Sequence, residues 1–251
     1  MKTIRYALAI AAVLALAGSA QGQRAASPSP AILAAVADSG RPAEDVARDA
    51  GRHPAEILAF AGVRPGDRIV ELAPGGGYYT RILARSVGPR GRVYAVVSQR
   101  FAAQPGALDR FRATLSAYPN VEVVVSDLGA LTMAQPVDMV WTSENYHDFH
   151  NIPGADMHAI DRAIFGVLKP GGIFYVEDHA APGTGVSATS TLHRIDPQAV
   201  RDEVGTAGFR LEAESQLLAN PADPHSARVN DPSIRGHTDR FAMRFRKPRG
   251  G

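Results

Sequence analysis

The sequence contains no cysteine, and it carries almost no excess of one charge. The first absence excludes every disulfide and a lipid-modified N-terminal cysteine, so the folded protein must be stable on its buried core alone. The formal net charge is only +2, and the composition is otherwise ordinary, with 45% hydrophobic and 21% charged residues. Arginines gather between 235 and 249, but this run is typical of the solvated face of a C-terminal strand. We therefore predict no nucleic-acid partner.

Long apolar runs are also missing, apart from residues 6–17 near the start of the chain. This run is shorter than the ~20 residues that a membrane-spanning helix needs. Basic residues precede it, and the small residues Gly18, Ser19 and Ala20 follow it. This layout predicts a secretory signal peptide over 1–20, cut after Ala20 or, as second choice, after Gly22. The alternative is an uncleaved N-terminal anchor.

The domain organisation that follows from this interpretation is simple. Residues 21–40 are predicted to be a polar tether and the start of an N-terminal helical segment, and 41–251 a single domain. We expect an exported protein, periplasmic or secreted, without a membrane span after cleavage. The sequence contains no internal repeat and does not indicate an oligomeric state.

The middle of the chain alternates apolar runs with segments of helical spacing. The predicted strands are 68–72, 91–97, 121–125, 137–141 and 172–176, and the predicted helices between them are 78–85, 108–118 and 155–168. Strands this apolar are typical of a parallel sheet that is covered on both faces. The pattern predicts an α/β fold with a Rossmann-like, doubly wound, mostly parallel sheet. Ligands of such sheets bind beyond the carboxyl ends of the strands.

The last third of the chain has a different pattern. A helix is predicted over 197–208, and strands over 209–215 and 240–246 complete a seven-stranded sheet with a C-terminal antiparallel hairpin. Residues 240–246 alternate, which predicts apolar side chains inward, arginines outward, and an antiparallel strand at one edge of the sheet. The long loop 218–239 between the two strands is interpreted as functional.

The segment Ala73-Pro74-Gly75-Gly76-Gly77 lies between the first strand and the first helix of the predicted sheet. Three successive glycines exceed what a turn needs and indicate that a ligand approaches the backbone closely. A glycine loop followed by a helix N-terminus predicts a nucleotide site. A nicotinamide site of the form G-x-G-x-x-G would need glycine where Thr80 stands, which disfavours a dinucleotide.

Several motifs along the chain together resemble those of class I S-adenosylmethionine-dependent methyltransferases. Glu71, Gly75 and Gly77 match the acidic-x-Gly-x-Gly-x-Gly motif, with Ala73 at its first glycine. The segments "PVDMVWTSENYHDFHN" (136–151) and "AIFGVLKPGGIFYVEDH" (163–179) resemble the fourth strand with its loop and the Leu-Lys-Pro-Gly-Gly turn with the fifth strand. "NYHDFHN" and "RGHTDRF" further resemble a group of exported predicted methyltransferases. The resemblance covers roughly residues 41–248.

The resemblance implies that S-adenosylmethionine is the cofactor, with Asp127 of "VVVSDLGAL" meeting the adenine amino group. The implied cofactor-binding residues are Glu71, Ala73, Pro74, Gly75, Gly77, Tyr78, Ser98, Asp127, Ser143 and Asn145. Packing of the first helix is an equally plain role for Tyr78. One departure is the end of the second strand, where Val97-Ser98-Gln99 replaces the acid that normally binds the ribose hydroxyls. Ser98 or Gln99 is predicted to substitute, with weaker bonds.

The loop after the fourth strand supplies the candidate catalytic residues, which are Glu144, Tyr146, His147 and Asp148. His147 is the first choice as general base, because an unperturbed histidine titrates near pH ~6.5; Asp148 or Glu144 would orient it. The alternative is that the loop histidines only hold the loop in place. Asp178, His179 and His150, together with His147 and Asp148, offer an alternative role as ligands of a divalent metal. Because magnesium prefers oxygen and half of this set is imidazole, no metal is predicted.

The predicted function is methyl transfer from S-adenosylmethionine to an unidentified small-molecule acceptor. Two alternatives remain open. The first is a non-catalytic exported protein that binds a nucleoside or another small ligand, and the missing acid beside Ser98 favours it. The second and weaker alternative is a nicotinamide-dependent oxidoreductase. The dense polar segment 143–151 favours an enzyme, because a buried polar cluster is costly unless it has a role or full pairing.

Overall fold

The computed structural model describes residues 27–250. The predicted signal peptide and residues 21–26 of the predicted tether lie outside the described residues. Among the helices between 27 and 250, none has the length and apolar character needed to cross a bilayer.

The centre of the protein is a seven-stranded sheet of the predicted class. Its strands are β1 (Arg68–Leu72), β2 (Arg92–Val97), β3 (Val121–Val125), β4 (Val137–Ser143), β5 (Leu168–His179), β6 (Arg210–Ser215) and β7 (Arg240–Arg246). They lie in the order β3-β2-β1-β4-β5-β7-β6. The first five strands pair in parallel, and β7 is antiparallel to both β5 and β6. The predicted Rossmann-like fold with a C-terminal antiparallel hairpin is confirmed.

Helices cover both faces of this sheet. They are α1 (Pro30–Val36), α2 (Ala43–Val46), α3 (Asp49–Arg52), α4 (Pro54–Ala61), α5 (Tyr78–Val87), α6 (Gln99–Ala102), α7 (Ala107–Thr114), α8 (Tyr146–Phe149), α9 (Met157–Val167), α10 (Thr189–Leu192) and α11 (Pro197–Thr206). One core cluster joins α1, α4 and α5 to the sheet, and a second joins α9 and α11 to its other face. The strands β1, β2 and β4 are buried along nearly their whole length for this reason, which explains their nearly continuous apolar runs.

Two strands differ from the sequence-based expectation. β5 begins at Leu168, so the predicted turn at 169–171 lies inside the strand. Val137 pairs with Leu168 but Met139 pairs with Ile173, and the extra residues between 168 and 173 form an irregularity in the ladder. The glycine-containing turn signal therefore marks a bulge and not the start of the strand.

The last strand also lies elsewhere than predicted. β7 is inserted between β5 and β6, so the edge strand is β6 and the prediction of an edge position for 240–246 is wrong. Met243 and Phe245 are buried as expected, but Arg240 is buried as well and does not face solvent. The alternating pattern indicates two faces of different polarity; it does not distinguish solvent from a buried ion-pair network.

Candidate active site

The loop that joins β1 to α5 runs through left-handed backbone at three positions. The φ angles are 48° at Ala73, 56° at Gly75 and 82° at Gly77, and the Gly77 N–H donates to the Pro74 carbonyl at 2.9 Å. No atom of residues 27–250 lies within 4 Å of the place that a Cβ would take on Gly75 or Gly76. Packing within the described chain therefore does not require glycine there, while close approach of a ligand to the loop would.

Glu71 lies directly beneath this loop and is only 3% exposed. Thr80 in the first turn of α5 donates its hydroxyl to the Glu71 carboxyl at 2.5 Å. Burial raises the pKa of Glu71 to about 8, although the Thr80 hydrogen bond and the Arg81 charge oppose this. Glu71, the acidic position of the glycine motif, therefore connects β1 to α5 in the core through its hydrogen bond with Thr80.

The carboxyl ends of β2 and β3 continue the same edge of the sheet. The Ala73 N–H donates to the Val96 carbonyl at 3.0 Å, which places the end of β2 beside the glycine loop. Ser98 follows, and its hydroxyl accepts from the Phe101 N–H at 3.1 Å as the N-cap of α6. Asp127 is exposed at the end of β3. The two residues thus hold the positions that the resemblance assigns to the ribose and adenine contacts.

Asn145 connects the loop after β4 to the glycine loop. Its side-chain amide donates to the Ala73 carbonyl at 3.0 Å and to the Leu72 carbonyl at 3.2 Å. Its amide oxygen accepts from the hydroxyl of Thr142. Two predicted cofactor residues, Ala73 and Asn145, are therefore in direct contact, and the strained backbone of Ala73 is held from the neighbouring strand.

A buried ion-pair network occupies the ends of β4, β5 and β7. Arg240 donates to Glu144 at 2.6 Å and to Glu177 at 3.2 Å, and Arg52 of α3 pairs with Glu144 from the other side. Ser143 donates its hydroxyl to Glu177 at 3.1 Å. Burial tends to raise the pKa of Glu144, but the two arginines outweigh it and hold that pKa below its usual range. Glu144 therefore pairs with arginines, and its carboxylate does not contact His147.

His147 lies in a tight group of acids and imidazoles. Its Nδ1 is 2.7 Å from Asp178 and its backbone N–H donates to the same carboxylate at 2.8 Å. Its Nε2 is 3.3 Å from both Asp148 Oδ1 and His193 Nδ1. Burial lowers the pKa of His147, but the charges and hydrogen bonds of Asp178 and Asp148 outweigh it and raise that pKa to about 10. The ring is therefore an imidazolium near neutral pH.

His179, in contrast to His147, is neutral near pH 7. It ends β5, its Nδ1 lies 2.8 Å from the hydroxyl of Thr238, and its ring centroid is 6.1 Å from that of His147. Burial lowers the pKa of His179 to about 4, against the raising effect of Glu144 and Asp178. A neutral imidazole thus stands next to a protonated one at the carboxyl edge of the sheet.

Tyr146 and His150 point away from this group. The buried Tyr146 hydroxyl donates to Asp161 at 2.9 Å and to Glu203 at 3.1 Å, and His150 Nε2 is 3.1 Å from the same Glu203. These contacts join α8 to α9 and α11 within the core. The predicted catalytic Tyr146 is thus separated from His147 by the direction of the helix, although the two are adjacent in sequence.

The N-terminal helices close over the glycine loop. Arg81 of α5 donates to Asp45 at 2.8 Å and to the Gly76 carbonyl at 2.9 Å. The Tyr78 hydroxyl donates to Asp49 at 2.6 Å, and the guanidinium groups of three arginines lie over the Tyr78 ring, namely Arg41, Arg48 and Arg52. Tyr78 is only 4% exposed, so packing is the role that its surroundings favour.

The structure thus brings most predicted site residues to one edge of the sheet, in two adjoining parts. The glycine-loop part contains Glu71, Ala73, Pro74, Gly75, Gly77 and Asn145, with Ser98 and Asp127 on the neighbouring strand ends. The polar part contains Ser143, Glu144, His147 and Asp148. Tyr146 and Tyr78 are packed into the surrounding core.

Sequence reasoning missed three residues of the polar part as functional candidates, and these are Arg52, Glu177 and Arg240. The resemblance implies a place near the substrate mouth for His193, whose Nδ1 lies 3.1 Å from Asp148 Oδ1. A charged residue within the apolar run 172–176 would have indicated a buried functional position, but Glu177 lies just after this run. Arg52 contacts Glu144 across 92 positions of sequence, so local spacing could not reveal that pair.

Comparison with known proteins relates this fold and loop to one group of enzymes. Residues 69–172 match the family model of a methyltransferase domain. The protein-L-isoaspartate O-methyltransferase of Ignicoccus hospitalis is 31% identical over 132 residues, which are 51% of this chain and 55% of that protein. The chain therefore spans about half the length of this curated relative.

Solved structures extend the likeness to nearly the whole described chain. A putative sarcosine dimethylglycine methyltransferase from Galdieria sulphuraria aligns with a TM-score of 0.59 at 16% identity, covering 82% of this chain and 88% of that one. A SAM-dependent methyltransferase from Aquifex aeolicus aligns with a TM-score of 0.55 at 16% identity, covering 76% and 88%. At such identities the likeness shows the fold, which is that of class I methyltransferases.

Proposed function

We propose that this protein binds S-adenosylmethionine along the glycine loop and transfers its methyl group to a small acceptor held at the polar part of the edge. The observation that carries the proposal is the glycine loop itself. It borders open space at Gly75 and Gly76 and is joined through Asn145 to the loop that bears His147. The matched methyltransferase domain, residues 69–172, contains both loops and supports the proposal.

The residues present fit the cofactor. A side chain at Gly75 or Gly76 would fill the space beside the loop, so these glycines are suited to a ligand that lies against the backbone. The end of β2 offers Ser98 and the exposed Gln99 to the ribose hydroxyls, and the exposed Asp127 can accept from the adenine amino group. Because the Ser98 hydroxyl already accepts an N-cap hydrogen bond, it is free to donate but is a weaker partner than a carboxylate.

When bound, S-adenosylmethionine supplies a methyl group that is electrophilic already, so the protein has to align the acceptor and, for an O–H or N–H acceptor, remove a proton. The two histidines at this edge of the sheet differ in charge state, and this difference suits them to different roles. His147 is held as an imidazolium by Asp178 and Asp148, which suits a positioning role. An imidazole accepts a proton only in its neutral form, and His179, which ends β5 beside the loop that bears His147, is the neutral histidine. We therefore assign the general base to His179 ahead of His147, although its pKa of about 4 makes it a weak base.

A small acceptor agrees with the charge distribution better than a nucleic acid does. Of the late arginines, Arg240 is buried with Glu144 and Glu177, while Arg244 and Arg246 both pair with Glu212 at 2.8 and 2.7 Å. These three arginines are engaged in ion pairs within the sheet, so they are not part of a free basic surface.

Calorimetric titration of the purified protein with S-adenosylmethionine and with S-adenosylhomocysteine tests the proposal, and no acceptor has to be known. We expect binding of both at one site per chain, with NAD as the matched negative control. Absence of heat with either methionine derivative would overturn the proposal, and binding of NAD alone would favour the oxidoreductase. If both derivatives bind but no acceptor is ever methylated, the non-catalytic binding protein is the better account.

The exported location is a separate part of the proposal, because it rests on residues 1–20 alone. N-terminal sequencing of the protein recovered from the producing cells tests it. A mature chain that begins at Gln21 or Gln23 supports export with cleavage, whereas a chain that retains residues 1–20 contradicts cleavage.

A further inference from the structure

Three potential metal ligands converge at the polar part of the edge. His147 Nε2 lies 3.3 Å from His193 Nδ1 and 3.3 Å from Asp148 Oδ1, and His193 Nδ1 lies 3.1 Å from the same oxygen. Each residue thus offers one ligand atom to a common point. The three come from two parts of the chain, since His147 and Asp148 belong to α8 and His193 follows α10.

These separations agree with the geometry of a tetrahedral site. Zinc binds histidine nitrogen and carboxylate oxygen at ~2.0–2.2 Å, so two ligands at the tetrahedral angle are ~3.3 Å apart. The three measured separations are 3.1–3.3 Å. The mutual separations of the three ligand atoms are therefore those of three corners of a tetrahedral site.

Asp178 supplies the outer partner that a metal-binding histidine normally has. Its Oδ1 is 2.7 Å from His147 Nδ1, while backbone N–H groups hold the carboxylate from both sides, from His147 at 2.8 Å and from His179 at 2.7 Å. Asp178 is fully buried. A carboxylate that accepts from Nδ1 keeps a proton on that nitrogen, so a metal ion would displace the Nε2 proton of the imidazolium into solvent and bind Nε2, which is the arrangement that orients zinc-bound histidines.

The surroundings leave room for a fourth ligand. The side chains of Asp148 and His193 are 47% and 29% exposed, so the point they share with the buried His147 opens toward solvent. A site with three protein ligands and one open position is the catalytic type of zinc site. Two imidazoles with one carboxylate suit zinc and similar transition metals better than magnesium, whose oxygen preference was the reason for predicting no metal.

One neighbouring cation has to move. The exposed Arg228 contacts His193 Nε2, and in the metal-free protein it donates to that nitrogen while the Nδ1 proton faces Asp148. A metal on Nδ1 would place the ring proton on Nε2, which then no longer accepts from a guanidinium. Because Arg228 lies at the surface, its side chain can turn into solvent.

We propose that His147, Asp148 and His193 form a divalent transition-metal site of the zinc type, with an open position for a water molecule or for an oxygen or nitrogen atom of the acceptor. The acceptor role of the open position rests on the proposed function, because both use the polar part of the edge. Binding of the metal itself can be tested separately, since no ligand of the site contacts the glycine loop. The proposal thus assigns a divalent transition-metal ion as the ligand of the polar part of the edge.

Cobalt is the probe of choice, because four-coordinate Co²⁺ absorbs visible light much more strongly than the hydrated ion. We expect the protein, purified without a histidine tag and stripped with chelator, to take up one Co²⁺ per chain with intense visible bands, and Zn²⁺ to displace it. His193→Gln should weaken binding by at least 100-fold. Asp178→Asn, which alters only the outer partner, should weaken it by about 10- to 100-fold.

His225→Gln is the matched control for His193→Gln. The two histidines have nearly the same exposure, 30% and 29%, and each pairs with one carboxylate. Their backbones are also alike, with φ of 57° and 54°. The proposal requires that His225→Gln bind Co²⁺ like the parent protein and that both variants melt cooperatively.

Absence of Co²⁺ and Zn²⁺ binding in the folded parent protein would overturn the proposal, and so would equal affinity in His193→Gln and His225→Gln. Titration with S-adenosylhomocysteine is run in parallel on both variants. If that titration succeeds while metal binding fails, the metal site is refuted and the proposed methyl transfer stands; the opposite result refutes methyl transfer and leaves the metal site.

Discussion

Replacing Gly75 by alanine separates contact with a ligand from the requirements of the fold. Gly75 has φ of 56° and no described atom within 4 Å of an added Cβ, so the substitution introduces backbone strain but no clash within the chain. A side-chain-bearing residue in left-handed backbone costs ~1–2 kcal/mol, which lower unfolded-state entropy offsets by about 0.4–1 kcal/mol. The net loss of about 1 kcal/mol corresponds to a melting temperature lower by ~2–4 °C for a domain of this size.

Gly66 provides the control, because it also has positive φ, 91°, and no atom within 4 Å of an added Cβ. It lies two residues before β1, at the end of the strand away from the glycine loop. Gly77 would be a poorer probe, since a Cβ there would stand 2.9 Å from the Arg81 side chain. Gly75→Ala and Gly66→Ala should therefore lose similar stability for the same physical reason.

The two variants should differ in cofactor binding. If the ligand lies against the loop, the methyl group of Gly75→Ala overpacks the contact at a cost of ~1–3 kcal/mol, which is a roughly 5- to 150-fold higher Kd. Gly66→Ala should bind as the parent protein does. Thermal melts and calorimetric titration with S-adenosylhomocysteine measure both effects. Unchanged affinity in Gly75→Ala, or equal loss in both variants, would refute ligand contact at this loop.

Three further predictions concern stability. Ala73→Gly should relieve the strain at φ 48° and raise the free energy of unfolding by about 0.5–1 kcal/mol in urea titrations; a lower value would contradict strain. The Glu71 pKa is about 8 in the fold against 4.5 unfolded, so the folded state retains a proton as pH rises through this window and stability falls by ~1.4 kcal/mol per pH unit. Glu71→Gln should remove this part of the pH dependence, and unchanged slopes in urea titrations at pH 5–8 would refute it. Arg194→Met, which leaves the buried Asp223 unpaired, should cost ~3–5 kcal/mol. The surface variant Arg201→Met should cost under ~1 kcal/mol by the same measurement.

The sheet could be predicted from sequence because the parallel strands are short apolar runs rich in valine and isoleucine, and β7 alternates apolar residues with arginines. The strands 68–72, 121–125 and 240–246 have the predicted bounds. The start of β5 could not be predicted, since Pro170 and Gly171 give a turn signal that the fold accommodates as a bulge. The position of β7 inside the sheet depends on pairing with both β5 and β6, which periodicity within one segment does not encode.

The candidate site, like the sheet, could be predicted from sequence only in part. The glycine loop and the acid at Glu71 are local in sequence, and the positions after β4 follow from the rule for strand ends. The interaction partners of the site residues could not be predicted in this way. The sequence predicts Glu144 beside His147, but Glu144 pairs with Arg52 and Arg240, which are 92 and 96 positions away. Ser98 was assigned to the ribose, but the sequence did not indicate that its hydroxyl also caps α6.

The contact between Arg240 and the Gly51 carbonyl joins positions 189 residues apart, and this separation has a consequence for the order in which the protein matures. A ribosome delivers the segment containing α2 and α3 long before it delivers β7, so the contacts of this segment with α5 can form first, whereas its contact with Arg240 has to wait for the last strand. Closing so large a loop is also slow compared with forming local contacts. The Arg240 contact is therefore expected to form late, and chains that end before residue 240 should be cut more readily by proteases in the α3 segment than the full chain is.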